Sequence, residues 1–203
     1  CYKGLYSSIN DLNLFEIAYS LNRQFASTPH ALYRDQRLLN FADNHDVDRI
    51  ASLLSNKGHL PHLYAILFGM PGVPCLYYGS EWGATGMKNG SAKDKDIRLS
   101  YDSPVWNNLT ELIRTLIRIR KEEKALLNGS YAQLALNNRY LLFAREHQGE
   151  KIFVGINIDQ TPVEVSVPNR GERWKNLFSG DEIQVNGSIR LEKNSYTYWK
   201  LHA

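Results

Sequence analysis

The chain is poor in cysteine: two among 203 residues, Cys1 and Cys75. That is too few for a disulfide framework, so any fold must rest on an ordinary hydrophobic core. The thiol count fits a reducing cytoplasm and leaves secretion open. No apolar run approaches the length of a membrane span, so no membrane partner is expected. The formal net charge is only +3, and the basic residues are scattered rather than striped. Nucleic-acid binding needs a concentrated basic face, and none is visible. No sequence repeat, low-complexity segment, metal-ligand spacing or phosphate loop occurs. Neither a metal nor any other cofactor is expected.

What is present is an ordinary globular composition, 43% hydrophobic and 22% charged, with length for one sizeable core or two modest domains. The chain opens at Cys1 without an initiator methionine or a signal peptide, in Cys-Tyr-Lys-Gly-Leu-Tyr, which reads as the inside of a longer protein.

Its character changes near Gly129. Before it, helical and strand patterns alternate. Asn13 and Glu16 have capping-box spacing, followed by Leu14, Phe15, Ala18, Leu21 and Phe25 at helical intervals. Leu38 to Phe41 reads as a buried strand. Leu60, Leu63, Tyr64, Leu67 and Phe68 form a helical apolar face, with Pro61 in the first turn and Gly69, Pro71 and Gly72 at the end. Val73 to Tyr78 reads as a second strand with Pro74 near its start, where a missing N–H is tolerable. Ser103-Pro104 is expected to open a long helix carrying Leu109, Ile113, Leu116 and Arg120, stopped by Asn128-Gly129. This order implies parallel crossovers, but two strands are too few for a complete eight-stranded barrel of about 250 residues.

From Tyr131 onward the period becomes two. About eight short strands are expected, with Asn137-Asn138, Gln148-Gly149, Asp159-Gln160, Ser179-Gly180-Asp181 and Asn186-Gly187 as turns, the last a strong hairpin signal. Such spacing suggests an antiparallel sandwich.

The chemistry concentrates in Phe41-Ala42-Asp43-Asn44-His45-Asp46-Val47-Asp48-Arg49. A histidine beside a carboxylate at a strand's end is where parallel α/β enzymes display their reactive groups. About thirty residues later comes Gly72-Val73-Pro74-Cys75-Leu76-Tyr77-Tyr78-Gly79-Ser80-Glu81. Together the two segments resemble the α-amylase family of glycosidases, glycoside hydrolase family 13. Phe41 to Asp46 is similar to that family's fourth conserved region. The second segment is similar to the stretch around strand 8, except that Ser80 stands where an aspartate is common. Lys3-Gly4-Leu5-Tyr6 and Asn13-Leu14-Phe15 look like the cyclomaltodextrinase and neopullulanase branch.

The resemblance implies a partial (β/α)8 TIM barrel, from the end of unit 6 through helix 8, in residues 1–129. An all-β antiparallel sandwich called domain C would follow in 130–203. It implies that the parent protein is a retaining glycosidase acting on α-1,4-linked glucans or maltooligosaccharides. Asp46 matches the third catalytic carboxylate, which stabilises the transition state. His45 is its substrate-binding neighbour, with Asn44, Arg49 and Tyr78 also assigned to substrate binding. Two roles stay open for Arg49, ordering nearby carboxylates or covering a short helix. The same holds for Tyr77, Tyr78 and Trp82, as sugar platforms or as packing at the lip. The nucleophile and general acid of this family belong to segments upstream of Cys1, so the chain alone is expected to be inactive.

The blander reading of Asn-His-Asp is a turn that caps a helix, with Asp46 satisfying backbone donors. Further alternatives are a glucan transglycosylase and a non-catalytic or carbohydrate-binding module, for which Trp174, Tyr196, Tyr198 and Trp199 would have to line one surface. Residues 83–96, rich in Gly, Lys, Asn and Ser, read as a loop over the site. A partial barrel leaves strand edges bare, so self-association or an upstream part of the same parent is the expected partner.

Overall fold

The computed structural model describes residues 2–34, 36–88 and 94–201. Cys1 and Asn89–Lys93 lie outside the described residues, and with them the middle of the expected loop. Two helices open the chain, α1 (Tyr2–Asn10) and α2 (Phe15–Phe25). The expected capping box at the start of α2 does not form. Glu16 accepts instead from the Ser7 hydroxyl at 2.6 Å, and Ser8 Oγ accepts from the Ile17 N–H at 2.9 Å. Ser8 of α1 thus satisfies a backbone donor at the start of α2 while Ser7 donates to its Glu16, a tertiary solution that local spacing does not encode. Leu14, Ala18, Leu21 and Phe25 are buried as the period requires, whereas Phe15 points outward, 47% exposed.

Strand β1 (Leu39–Phe41) pairs in parallel with β2 (Val73–Cys75), in the register Leu39↔Val73, Asn40↔Pro74, Phe41↔Cys75. The expected strand from Val73 to Tyr78 is therefore only three residues long. Among the described residues this sheet has two strands. Both are edges, which is why Pro74 is tolerated at mid-strand. Between them run the short α3 (Ile50–Leu53) and then α4 (Leu60–Gly69).

Helix α4 is buried on nearly every side, from His62 to Gly69 without a break. Helices α1 and α5 (Asn108–Glu122) pack on it, and so do strands of the β-rich half. A helix apolar all round belongs in the middle of a core, and here it joins the two halves. Tyr198 Oη donates to Ala65 O at 2.6 Å across that seam. One continuous hydrophobic cluster runs from Leu5 to Tyr198.

Helix α5 begins four residues later than Ser103-Pro104 suggests. Asn107 is its N-cap, its Oδ1 accepting from Leu109 N (3.0 Å) and Thr110 N (3.1 Å), while Thr110 Oγ1 accepts from Asn107 N (3.4 Å). Here Thr takes the place of the usual Glu or Gln of a capping box. The helix stops at Glu122, and the separate α6 (Lys124–Asn128) follows, ending where Asn128-Gly129 predicts.

Six strands follow, not eight: β3 (Ser130–Leu136), β4 (Tyr140–His147), β5 (Glu150–Asn157), β6 (Val163–Asn176), β7 (Glu182–Leu191) and β8 (Ser195–Leu201). All pairings are antiparallel in the order β3-β4-β5-β8-β6-β7. Residues 163–176 and 182–191 each read as two strands because their ladder shifts register between Ser166 and Glu172. Asn186-Gly187 is thus a distortion inside β7, with φ of +90° at Gly187, and not a hairpin turn. Gln148-Gly149 is the true tight turn, with φ of +49° and +86°, as a type I′ turn needs.

Alternation divides the side chains of this sheet between two cores. Leu141, Phe143, Ile152, Val154 and Tyr198 face α4. Leu142, Phe153, Trp174, Val185, Leu191 and Trp199 fill the interior of the sandwich, where Phe153 stacks on Trp174 at 3.8 Å. The fold is a partial α/β barrel followed by an antiparallel sandwich.

Candidate active site

The chain leaving β1 is fixed by one buried carboxylate. Asp43 is 2% exposed; its Oδ2 accepts from the Ile50 N–H at 2.9 Å, capping α3, and both its oxygens lie within 2.8 Å of Ser80 Oγ. Burial pushes its carboxyl above the usual range, against these hydrogen bonds and the charge of Arg49. The link to Ser80 ties the end of β1 to the segment beyond β2. Next, Asn44 Oδ1 accepts from Asp46 N at 2.8 Å, which closes a small turn. The turn turns His45 and Asp46 outward: their side chains are 60% and 62% exposed, with Nε2 and Oδ2 3.2 Å apart. Helix capping in this segment falls to Asp43, which leaves Asp46 open to a ligand.

Arg49 is the principal correction to the expected site. It is fully buried, so it cannot touch a soluble substrate. Its guanidinium lies 4.2 Å from the Tyr77 ring centre and 4.9 Å from that of Tyr78. Nε donates to Ile97 O (2.9 Å) and Nη1 to Tyr78 O (2.6 Å), while its backbone N–H donates to Gly86 O (2.9 Å). Arg49 therefore fastens the loop after β2 and the segment at Ile97 to the end of β1. A planar donor fork between two rings is a task only arginine performs well.

Tyr78 remains partly open, 43% exposed, its Oη donating to Leu99 O at 2.8 Å. It lines a cavity of about 550 Å³ together with Glu81, Trp82, Arg98, Tyr101 and Asp102. Trp82 meets Tyr101 edge-on at 5.1 Å, so its ring is engaged in packing at this lip. Sequence reading missed Arg98. Its Nη2 lies 3.6 Å from Asp46 Oδ1 and its Nε donates to His45 O at 3.2 Å. No local pattern marks it, because hydrogen bonds from distant residues, Arg49 to Ile97 O and Tyr78 to Leu99 O, bring residue 98 to this place.

The site thus offers an accessible carboxylate, a neighbouring imidazole, a guanidinium that orients the carboxylate, and an aromatic wall. Such a set suits a neutral polyhydroxylated ligand, whose hydroxyls donate to the carboxylate and whose apolar faces meet aromatic rings. Among the described residues no group of three His, Cys, Asp or Glu side chains is placed to hold a metal.

The aromatic residues of the sandwich do not form a second site. Trp174 and Tyr198 are fully buried, Trp199 is 5% exposed, and Tyr196 sits half-buried against His62 and Phe178. They are core, not a ligand platform.

Residues 7–108 match the family model of the alpha amylase catalytic domain, and residues 131–198 that of the maltogenic amylase C-terminal domain. An alpha-amylase of Niallia circulans is 28% identical over 84% of this chain, and a cyclomaltodextrinase of Geobacillus thermopakistaniensis 29% identical over 85%. The chain spans 33% and 30% of the length of those two curated relatives. The crystal structure of an Anoxybacillus alpha-amylase superposes with a TM-score of 0.80 at 22% identity, covering 98% of this chain and 45% of that one. With half of its residues inside the catalytic-domain model and its fold in agreement, this chain belongs to the α-amylase family.

Proposed function

We propose that this chain is the C-terminal part of a retaining glycoside hydrolase that cleaves α-1,4-glucosidic bonds in maltooligosaccharides or cyclodextrins. The observation that carries the reading is the exposed His45–Asp46 pair at the end of a parallel strand, with Arg98 against the carboxylate. Asp46 is the stabilising carboxylate: it binds sugar hydroxyls more tightly as the ring flattens toward the oxocarbenium ion, which lowers the barrier itself. His45 donates a hydrogen bond to a hydroxyl of the same sugar, and Tyr78 forms part of the wall. Asn44 shapes the turn and Arg49 acts from beneath. A retaining mechanism needs a further pair of carboxyl groups about 5 Å apart, one nucleophile and one acid. These belong to the upstream part of the parent, which also covers the open edges of β1 and β2, where Leu39 and Val73 are 64% and 46% exposed.

Transglycosylation is the competing outcome for the same site, decided by how well water is kept from the acceptor side. The test is release of reducing sugar from maltoheptaose and β-cyclodextrin, by the chain alone and after mixing with the upstream part of the parent. Activity is expected only in the mixture and is lost in Asp46→Asn. Turnover by the chain alone overturns the division of the catalytic groups, and an Asp46→Asn mixture with full activity overturns the assignment of Asp46.

A further inference from the structure

At the opposite, N-terminal end of β1 and β2, two guanidinium groups converge on the end of α4. Arg120 donates to Phe68 O, to Met70 O at 3.3 Å and to Gly72 O. Arg145 donates to Gly69 O (2.8 Å), Gly129 O (2.8 Å) and Ser130 O (3.1 Å). They are 5% and 1% exposed, and no ion pair among the described residues includes either. Acidic side chains of the adjoining strands and helix are engaged elsewhere: Glu146 by Lys151 at 2.9 Å, Glu123 and Glu150 by Lys200 at 2.5 and 3.3 Å. A helix C-terminus carries about half a negative charge. Set against two guanidinium charges, it leaves about one and a half positive charges uncompensated among the described residues. Burial first, and then the charge of Arg120, push Arg145 down to about 9.

Arg145 is also the floor of a cavity of about 220 Å³, whose walls include Arg37, Arg34, Asn128 and Gly72. No carboxylate lines it among the described residues; Asp35 lies outside them. Arg37 is exposed and donates to Asn128 Oδ1. Of the five N–H groups of Arg145, three have carbonyl partners among the described residues, which leaves two for a ligand there. A small, polar, cation-lined pocket above an uncompensated buried charge is a site for an anion with several acceptor oxygens.

We propose that this cavity binds a tetrahedral oxyanion, a phosphate or sulfate group, on Arg145 and Arg37 at the seam between barrel and sandwich. The bound anion supplies the missing counter-charge and bridges residues before β1 to the start of β3. The proposal is independent of the glycosidase reading, since the cavity lies at the other end of the strands.

Calorimetric titration of the chain with inorganic phosphate, at constant ionic strength held with chloride, tests it. Saturable one-to-one binding is expected, weakened about tenfold in Arg37→Gln by loss of a charge-assisted contact. A parallel titration with glucose 6-phosphate separates the sources: tighter binding than phosphate assigns a phosphomonoester, and weaker binding assigns the free ion. Arg145→Met abolishes binding where it folds; Arg37→Gln, on the surface, decides the matter if it does not. Absence of saturable binding, or equal affinity in wild type and Arg37→Gln, overturns the proposal.

Discussion

The hydroxyl of Ser80 sits between the two carboxylate oxygens of Asp43, 2.7 and 2.8 Å away, in a place almost closed to water. This contact joins the ends of β1 and β2 without a second charge. Ser80→Ala leaves Asp43 short of a donor in a low-dielectric setting, and a loss of about 1–3 kcal/mol of stability is expected. Chemical denaturation of the two proteins measures it; a change under a few tenths of a kcal/mol shows that the contact contributes nothing net.

Gly69, the last residue of α4, has little room for a side chain. A Cβ there would lie 3.1 Å from Tyr198 Oη and from both methyls of Val154. Replacing glycine by alanine in a helix normally gains up to about 1 kcal/mol, and overpacking costs about 1–3 kcal/mol. The steric cost wins because Val154 and Tyr198 are themselves fully buried. Gly69→Ala is expected to lower the unfolding midpoint, and adding Val154→Ala to Gly69→Ala should cost less than Val154→Ala does in wild type. A double-mutant cycle that is simply additive contradicts the packing account.

These residues also show what can be read from a chain of this kind. Phe41 to Asp46 and Val73 to Gly79 lie beyond and along the two parallel strands as their motifs imply, because short apolar runs bounded by turn residues carry that information locally. The same is true of α4 and of most sandwich strands. Arg49 and Arg98 were different. Their partners, Tyr77, Tyr78, Ile97 and the carbonyl of His45, come from other segments, and side-chain type alone does not report which arginine is buried. The start of α5 moved to Asn107 because that side chain also donates to Trp82 O at 3.0 Å, a contact that no capping pattern contains. The register shift in β6 and β7 hid two long strands behind glycines that look like turns.

His62 gives the fold an acid-sensitive element. It is 2% exposed, its ring meets His59 and Tyr196 edge-on at 5.3 and 5.5 Å, and burial holds its pKa down to about 4. Between pH 6.5 and about 4 the unfolded chain binds a proton that the folded chain refuses, so stability falls as pH drops through that window. Below about pH 4 both states are protonated and the loss from this group is complete, on the order of 3 kcal/mol. Buried His59, whose pKa is also held down by burial, adds in the same direction. His62→Phe is expected to flatten this part of the pH–stability curve, as followed by urea midpoints at several pH values. Parallel curves for the two proteins would place the acid sensitivity elsewhere.

Arg98 is expected to separate activity from stability. Its side chain is 43% exposed and its contacts to Asp46 and Asp94 are both 3.6 Å, the kind of surface pair that contributes about 0–1 kcal/mol. Arg98→Ala should therefore unfold at nearly the wild-type midpoint. Its effect belongs to the site, where the guanidinium holds the carboxylate of Asp46 and the carbonyl of His45 in one geometry. With Asp46 in the proposed role of stabilising carboxylate, loss of that alignment is felt most in the transition state. In the proposed complete enzyme kcat is expected to fall about ten- to hundredfold with KM changed much less, since one charge-assisted contact is removed. Arg98→Lys restores the charge without the fork and should recover only part of the rate. A variant that loses KM alone would make Arg98 a ground-state binding residue, and one that loses stability first would make it a clamp for the loop.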